Sequence, residues 1–423
     1  MERGDHSISK ATQDPAADAA AMLLRLGFAI FAIVTPSATL MSRWVIVVLV
    51  PIGAVLIILS TILRGDPFRV VKSLTASLMT IPGLTAVFLA LWAVISLGWT
   101  PNSAVAAPKV FKTLGVIALG VLAIQALPQK MRASNLHLVT IGVGLGAVLI
   151  LAAVLSEALG SPLLRFPSAT PGRAAVLLTC LSWAAAAWML IKNRRVIAAG
   201  LIALVFCVAL FGPTSEAIVP VGIGLLVFAL AWAVPERAGR LLAWLAAGLI
   251  VLAPLLALGA KTAARAASSG ADSVVAALGL WWDVALADPV RLMTGRGFDA
   301  ALTAREARVI PLEAPSTLIS DIWFDLGLLG ALGLGILVFH IFRAAGRFGL
   351  EVAPLALAGL ASAFTFALVE RGATQTWWLN GMTVFAIVLL SVERGRYRTV
   401  RPRALLKQRR VNSGESGAHA EAV

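Results

Sequence analysis

Two aspartates that could take part in proton transfer head an apolar stretch late in this 423-residue chain. Asp321 and Asp325 are four residues apart, so on a helix they would share one face and lie in its first turns. The helix dipole stabilises negative charge there, which gives the pair a purely structural explanation. The alternative is catalytic, because a carboxylate whose pKa is raised by burial can act as a general base. Glu313 is a second candidate base.

Arginines accompany these carboxylates along the chain. The planar guanidinium binds two phosphate oxygens at once, so several converging arginines would suit a diphosphate. For any single arginine, contact with a lipid head group is the plain alternative. Arg296, in the segment Gly-Arg-Gly-Phe at 295–298, joins Asp321 and Glu313 as a catalytic candidate. The candidates for substrate binding are Arg165, Arg173, Glu216, Arg305, Arg308 and Asp325.

The elements that position these residues are predicted to be membrane helices. Hydrophobic residues make up 59% of the chain and charged residues 13%, whereas a soluble domain has about a quarter charged. The fold class is therefore all-α, a polytopic integral membrane protein. Because a span takes roughly 20 apolar residues, the sequence predicts about twelve spans, near 22–41, 44–63, 78–98, 109–127, 136–157, 173–191, 196–212, 216–234, 241–259, 317–341, 351–370 and 375–392.

Basic residues orient these spans. The net charge of +14 comes from lysines and arginines in alternate short loops and in the C-terminal tail. By the positive-inside rule, this pattern places both termini in the cytoplasm. Contact with membrane lipids explains the charge better than binding of nucleic acid does. The predicted organisation is a disordered cytoplasmic tail at 1–21, a membrane domain at 22–392 and a basic cytoplasmic tail at 393–423.

One long loop, residues 260–316, falls outside the cytoplasm in this topology. Loops of this length are usually functional or disordered. Its segment 268–289 begins with serines and an aspartate, has apolar residues at helical spacing and ends at a proline. We expect a short interfacial helix with Trp281 and Trp282 at the depth of the lipid head groups; a merely solvated loop is the alternative.

Metal and nucleotide chemistry find no support in the sequence. The four histidines are far apart, and Cys180 and Cys207 lie inside apolar runs, so no metal site and no disulfide framework is predicted. Neither a P-loop nor a Ser-His-Asp arrangement is visible, and no cytoplasmic segment is large enough to bind a nucleotide. We therefore expect no cofactor.

Four segments together give the chain a family resemblance. They are "TPGRAAVLLTCLSWAAAA" at 170–187, "PTSEAIVPVGIGLLVFALA" at 213–231, "WWDVALADPVRLMTGRGFDA" at 281–300 and "APSTLISDIWFDLGLLGALGLG" at 314–335. In this order they resemble landmarks of the O-antigen ligase and Wzy polymerase superfamily of bacterial inner-membrane enzymes. The likeness covers roughly residues 109–392.

The resemblance implies a metal-independent, inverting glycosyltransferase of the GT-C type that acts at the periplasmic face. Its donor would be an undecaprenyl-pyrophosphate-linked glycan, and its acceptor either lipid A-core or another saccharide. Arg173 takes the family's sugar-phosphate arginine position, Arg296 lies in its Gly-x-Gly-Phe turn, and Asp325 matches its acidic residue before Leu-Gly. Binding and positioning of charge would supply most of the rate.

The chain departs from the family at the expected base. The family's His-Pro-His-Asn segment is here Ala314, Pro315, Ser316 and Thr317, so Ser316 and Thr317 are carried over only as substrate-binding candidates. Glu216 stands where many members have an arginine. Two alternatives therefore stay open: a member that has lost catalysis and acts as a partner of polysaccharide-assembly proteins, and a membrane transporter. A transporter is expected to contain internal repeats with paired broken helices, and the sequence shows none.

Overall fold

In the computed structural model, the residues that the structure describes form helices and short connections, with no strand among them. These residues are 15–160, 170–212, 217–266, 280–281, 283, 288–311, 314, 316–369 and 375–396. In chain order we number the helices α1 (Pro15–Ala38), α2 (Arg43–Leu63), α3 (Pro67–Leu78), α4 (Ile81–Ile95), α5 (Ser103–Ala126), α6 (Ala133–Ala158), α7 (Thr170–Ile191), α8 (Arg195–Phe211), α9 (Ile218–Ala233), α10 (Pro235–Val251), α11 (Ala253–Ala266), α12 (Pro289–Thr294), α13 (Ala300–Glu306), α14 (Leu318–Ala345), α15 (Ala353–Val369) and α16 (Thr376–Gly395).

The length and composition of these helices make the chain a polytopic membrane protein. Within the described residues, eight helices are long and apolar enough to cross a bilayer. The consecutive helices α10 and α11 pass the same test together but are bent by 71° at their junction. Three shorter apolar helices, α8, α9 and α15, complete the apolar set.

Helix α7 forms the centre of the bundle. The rest of the protein buries 89% of the apolar stretch of α7, whereas it buries 11% of the span that contains α4. Its alanine-rich sequence explains this position, since small residues let neighbouring backbones approach closely in a membrane protein. Trp183 Nε1 of α7 donates to Ser362 Oγ of α15 at 3.1 Å, and that hydroxyl donates to the Pro220 carbonyl of α9 at 2.9 Å. This chain of hydrogen bonds joins three helices.

The bend between α10 and α11 has a local cause. Pro254 has no N–H, so the carbonyl of Ile250, four residues earlier, lacks its helical donor. The indole Nε1 of Trp323 in α14 donates to that carbonyl at 2.8 Å instead. A buried carbonyl left without a donor would be costly in an apolar medium, and this hydrogen bond fixes α14 against the bend.

One end of the bundle collects arginines from several helix ends, and we call it the basic end. Arg394 Nη1 donates to the carbonyl of Leu127, after α5, at 2.8 Å, and Arg394 lies within electrostatic reach of Arg69. Burial lowers the pKa of Arg64, and the positive charges of Arg132 and Arg69 lower it further. The other end, where α4 finishes and α5 begins, we call the loop end.

Two boundaries differ from the sequence-based expectation. Helix α1 begins at Pro15, so residues 15–21 are helical and do not belong to a disordered tail. At the other terminus, α16 continues to Gly395. Residues 1–14 and 397–423 lie outside the described residues.

Trp281 packs inside the protein, and its depth relative to the lipid head groups stays a prediction. Its side chain is only 3% exposed and packs in a cluster with Ile250, Ile319 and Trp323. The aromatic ring has apolar partners within the protein, so burying it there removes more apolar surface from water than an interfacial position would. Trp282 lies outside the described residues.

Candidate functional site

The predicted Gly-Arg-Gly-Phe segment forms a turn that lies against a break in α14. Gly327 interrupts the helix with φ 66° and ψ −159°, which leaves carbonyls of the preceding turn without helical donors. Their donors come from elsewhere. Arg296 N donates to the Phe324 carbonyl at 2.9 Å, Gly297 N to the Asp325 carbonyl at 2.9 Å, and Trp92 Nε1 to the Leu326 carbonyl at 3.0 Å.

Two glycines make this contact between backbones possible. A Cβ on Gly295, at φ 78°, would lie 2.1 Å from the Asp325 carbonyl oxygen. A Cβ on Gly327 would lie 2.5 Å from the Gly295 nitrogen. Because both conformations also lie in the left-handed region, only glycine fits at either position without strain.

The connection between α4 and α5 holds the other side of the turn. Phe298 N donates to Ser96 Oγ at 3.1 Å, and Thr100 Oγ1 donates to the Phe298 carbonyl at 2.9 Å. Lys109, in the first turns of α5, forms an ion pair with Asp299. The turn is therefore fixed by hydrogen bonds and a charge pair from two separate parts of the chain.

Asp325 stabilises the start of α13. Its Oδ1 accepts a hydrogen bond from Ala301 N at 2.7 Å, and its Oδ2 accepts one from Asp299 N at 3.1 Å. Helix N-termini have N–H groups with no partner inside the helix, and a carboxylate is a favoured acceptor for them. Asp325, which belongs to α14, thus caps the N-terminus of α13, and both of its carboxylate oxygens are used in these structural contacts.

Asp321 forms a buried ion pair with Arg305. Arg305 Nη1 lies 2.8 Å from Asp321 Oδ1, and the two side chains are only 16% and 8% exposed. Arg305 is on the last turn of α13 and Asp321 on the first turn of α14. Thr317 and Ser320 fix that turn by a capping box, in which Ser320 N donates to Thr317 Oγ1 at 3.3 Å and Thr317 N to Ser320 Oγ at 2.9 Å.

Arg296 lies beside this pair of helices as a half-buried cation. Its Cζ atom is 4.5 Å from the centroid of the Phe324 ring, a cation–π distance. Burial lowers its pKa, the negative charge of Asp288 raises it and the positive charge of Arg291 lowers it. An arginine pKa starts so high that the side chain stays charged at neutral pH.

The other predicted residues are distributed as follows. Arg173 is placed by α7 and α16, with its Cζ atom 5.6 Å from the Trp377 ring centroid. Arg308 is exposed after α13 with φ 57°, and Ser316 and Thr317 are half-buried before α14. The structure thus brings together Arg296, Arg305, Asp321 and Asp325 around α12–α14. Arg165, Glu216 and Glu313 lie outside the described residues.

Sequence reasoning missed the residues that hold the turn. Ser96, Thr100 and Lys109 are about 190 to 200 positions from their partners, and no local pattern signals the pairing. Only Gly327, in the run Asp-Leu-Gly, could have suggested a special backbone position. In the described part of the chain, no group of three or more histidines, cysteines or carboxylates is placed to hold a metal ion.

Comparison with known proteins gives no relative, since no family model, no curated protein and no solved structure matches the chain.

Proposed function

We propose that this chain is a membrane glycosyltransferase of the O-antigen ligase and polymerase type. It would transfer a glycan from a polyprenyl diphosphate to an acceptor saccharide or lipid A-core. The observation that carries the proposal is the buried Arg305–Asp321 pair at the head of α14, with the Arg296 turn beside it. Ionisable groups buried in a membrane protein are costly and usually mark a substrate site.

The proposal includes twelve spans with both termini in the cytoplasm of a bacterial inner membrane. The eight long helices, the bent pair and the three shorter apolar helices supply that number if each crosses once. The location of two consecutive connections supports this topology. The connection after α5 contacts α16 at the basic end, whereas the connection after α4 contacts the turn at the loop end. The loop end would then face the periplasm.

The chemistry of the proposal uses the charges in the cluster. An acceptor hydroxyl attacks the anomeric carbon of the donor while the bond between that carbon and the phosphate oxygen breaks, and the configuration inverts. Asp321 receives the hydroxyl proton. The diphosphate leaves with the bonding electron pair, and the guanidiniums of Arg296 and Arg305 stabilise its charge. Glu313 is the alternative base.

Arg305 would couple donor binding to base release. In the structure its guanidinium neutralises Asp321. A diphosphate offers the same guanidinium more negative charge and more acceptor oxygens, so it competes with the carboxylate. Asp321 then loses that cationic partner, so its carboxylate can accept the hydroxyl proton of the acceptor.

The test is the surface carbohydrate of cells that lack this chain. Loss of long-chain lipopolysaccharide would indicate a ligase, and shortened free polymer would indicate a polymerase. Complementation with Asp321→Asn should fail while the wild-type chain restores the polymer, with equal accumulation shown by immunoblot of membranes. An unchanged carbohydrate profile in the deletion strain contradicts the proposal.

A second function is favoured by one feature of the same cluster. Both aspartates are held in structural contacts, and the family's histidine segment is replaced at 314–317. This arrangement suits a member without catalysis that serves as a partner in polysaccharide assembly. It predicts that Asp321→Asn restores the polymer fully, whereas deletion of the chain abolishes it.

A further inference from the structure

A cleft lined by arginines lies at the basic end, far from the cluster described above. Its volume is about 170 Å³, and its lining residues are Glu236, Arg240, Arg343 and Arg347. The first two lie in the first turns of α10, and the other two lie at the end of α14 and just beyond it. The cleft therefore sits where the start of one helix meets the end of another.

Close contact between the two helices creates this convergence. A Cβ on Gly239 would lie 2.9 Å from the Gly346 Cα, and a Cβ on Gly346 would lie 3.0 Å from the Pro235 carbonyl oxygen. The backbones touch at these glycines, so the side chains beside them are brought together. Arg240 follows Gly239, and Arg343 and Arg347 stand on either side of Gly346.

The cleft has an excess of positive charge that the described protein does not neutralise. All three arginines are exposed, and the ion pairs of the described residues, at 4.0 Å or less, involve other side chains. Glu236 supplies the single negative charge of the lining. Val234, which precedes α10, provides no side-chain cap, so the positive end of the helix dipole adds to the field. These features favour an anion with several oxygens.

An apolar seam runs from the arginines toward the middle of the helices. Trp244 is one turn after Arg240 in α10, and Phe339 is one turn before Arg343 in α14. Their ring centroids are 4.8 Å apart, and Trp244 is 69% exposed. Leu241 is also exposed on α10. Exposed apolar side chains next to a group of arginines suit a molecule with a charged head and a hydrocarbon body.

We propose that this cleft binds one anionic phospholipid. Its phosphate lies among Arg240, Arg343 and Arg347, where bidentate guanidinium contacts and the start of α10 stabilise it. One acyl chain follows Trp244 and Phe339. A soluble phosphate would use only the arginines, and the apolar seam is what favours the lipid.

The test uses the full chain in nanodiscs that contain phosphatidylglycerol and phosphatidylcholine. After release into mild detergent, native mass spectrometry counts the retained lipids. We expect the wild-type chain to keep one phosphatidylglycerol in preference to phosphatidylcholine. The triple variant Arg240→Gln, Arg343→Gln and Arg347→Gln should lose that preference by at least about tenfold, since each lost charge-assisted contact weakens binding.

A matched control removes three exposed arginines that do not line the cleft: Arg194→Gln, Arg195→Gln and Arg237→Gln. It should retain phosphatidylglycerol as the wild type does. An equal loss of phosphatidylglycerol in both triple variants would show that general surface charge causes the retention, and would overturn the proposal. Trp244→Ala, which leaves every charge in place, should weaken retention of the lipid. This variant serves as the test if the triple variant of Arg240, Arg343 and Arg347 does not accumulate. Full displacement of the lipid by inorganic phosphate would overturn the lipid assignment.

Discussion

The two ends of this bundle use arginine in opposite ways. At the loop end, the half-buried Arg305 pairs with the buried Asp321, and Lys109 pairs with Asp299. At the basic end, the arginines of the α10–α14 cleft are exposed and gather around one glutamate. A buried charge must be neutralised inside the protein, whereas an exposed charge can leave that to solvent or to a ligand.

The difference separates charges that are already paired within the protein from charges that face solvent or a ligand. Removing one member of a buried pair leaves the other in an apolar environment, which is strongly destabilising. Removing an exposed arginine costs little, because water already solvates it. Substitutions at the loop end should therefore lower stability in addition to any loss of the proposed activity, whereas substitutions at the basic end should mainly affect binding.

The largest expected effect comes from the contact between backbones at the loop end. Gly295→Ala places a Cβ 2.1 Å from the Asp325 carbonyl oxygen at a positive φ. Steric strain and displaced backbone together should lower the free energy of unfolding by about 4 kcal/mol or more. Thermal unfolding of the purified chain in detergent measures this as a lower midpoint.

Gly65→Ala is its control at the basic end. Gly65 has nearly the same φ, 77°, but nothing lies within 4 Å of an added Cβ. Only the backbone conformation is then penalised, at about 1 kcal/mol. Equal shifts in the two variants would show that Gly295 is not held against α14.

The next effect concerns the buried pair. Arg305→Gln leaves Asp321 without its cationic partner and should destabilise the protein by about 3 kcal/mol. Adding Asp321→Asn to that variant should recover much of the loss, because two neutral amides can form a hydrogen bond. A double-mutant cycle followed by thermal unfolding measures the coupling, and strictly additive losses would contradict a direct pair.

A smaller effect is expected at the cap of α13. Asp325→Ala removes the acceptor for two backbone N–H groups and should cost about 1 to 2 kcal/mol. Asp325→Asn keeps one acceptor oxygen and should cost less. Hydrogen exchange at Ala301 reports the effect locally, and unchanged protection of that amide in the alanine variant would argue against the cap.

The smallest effect on stability is expected at the basic end. Replacing Arg240, Arg343 and Arg347 together by glutamine should leave the unfolding midpoint in neutral detergent unchanged within error, because these side chains are exposed. Adding phosphatidylglycerol should raise the midpoint of the wild type more than that of the variant, as binding to the folded state requires. A large fall of the unfolding midpoint of this triple variant in lipid-free detergent would contradict the claim that these arginines contribute little to stability.

The sequence predicted the all-helical, polytopic character of the fold, which the described residues confirm with eight helices long and apolar enough to cross a bilayer. A run of apolar residues is enough to identify a membrane helix, because a span can be recognised without knowledge of its distant partners. The sequence did not predict that Asp321 pairs with Arg305, although both residues were candidates. Which arginine meets which carboxylate depends on how α13 folds back on α14, and that is set by glycine conformations and by Ser96 and Thr100 some 200 positions earlier.

The sequence did not predict the burial of Trp281 for a related reason. A tryptophan near a membrane boundary has two stable positions, the head-group layer and a protein crevice. Local sequence does not distinguish them, because the crevice is made by Ile250, Ile319 and Trp323 from two other helices. Similarly, the structural use of Asp325 became visible only with the position of α13.

The sheltered position of α7 bears on the order in which the protein is made. Helix α15, whose Ser362 accepts the hydrogen bond from Trp183, is synthesised about 180 residues later. Until α15 has been made, the indole N–H of Trp183 lacks its acceptor and the small-residue surface of α7 lacks that neighbouring helix. The centre of the bundle can therefore be completed only after α15 has been synthesised, and a nascent chain halted before α15 should expose α7 to membrane-soluble crosslinkers.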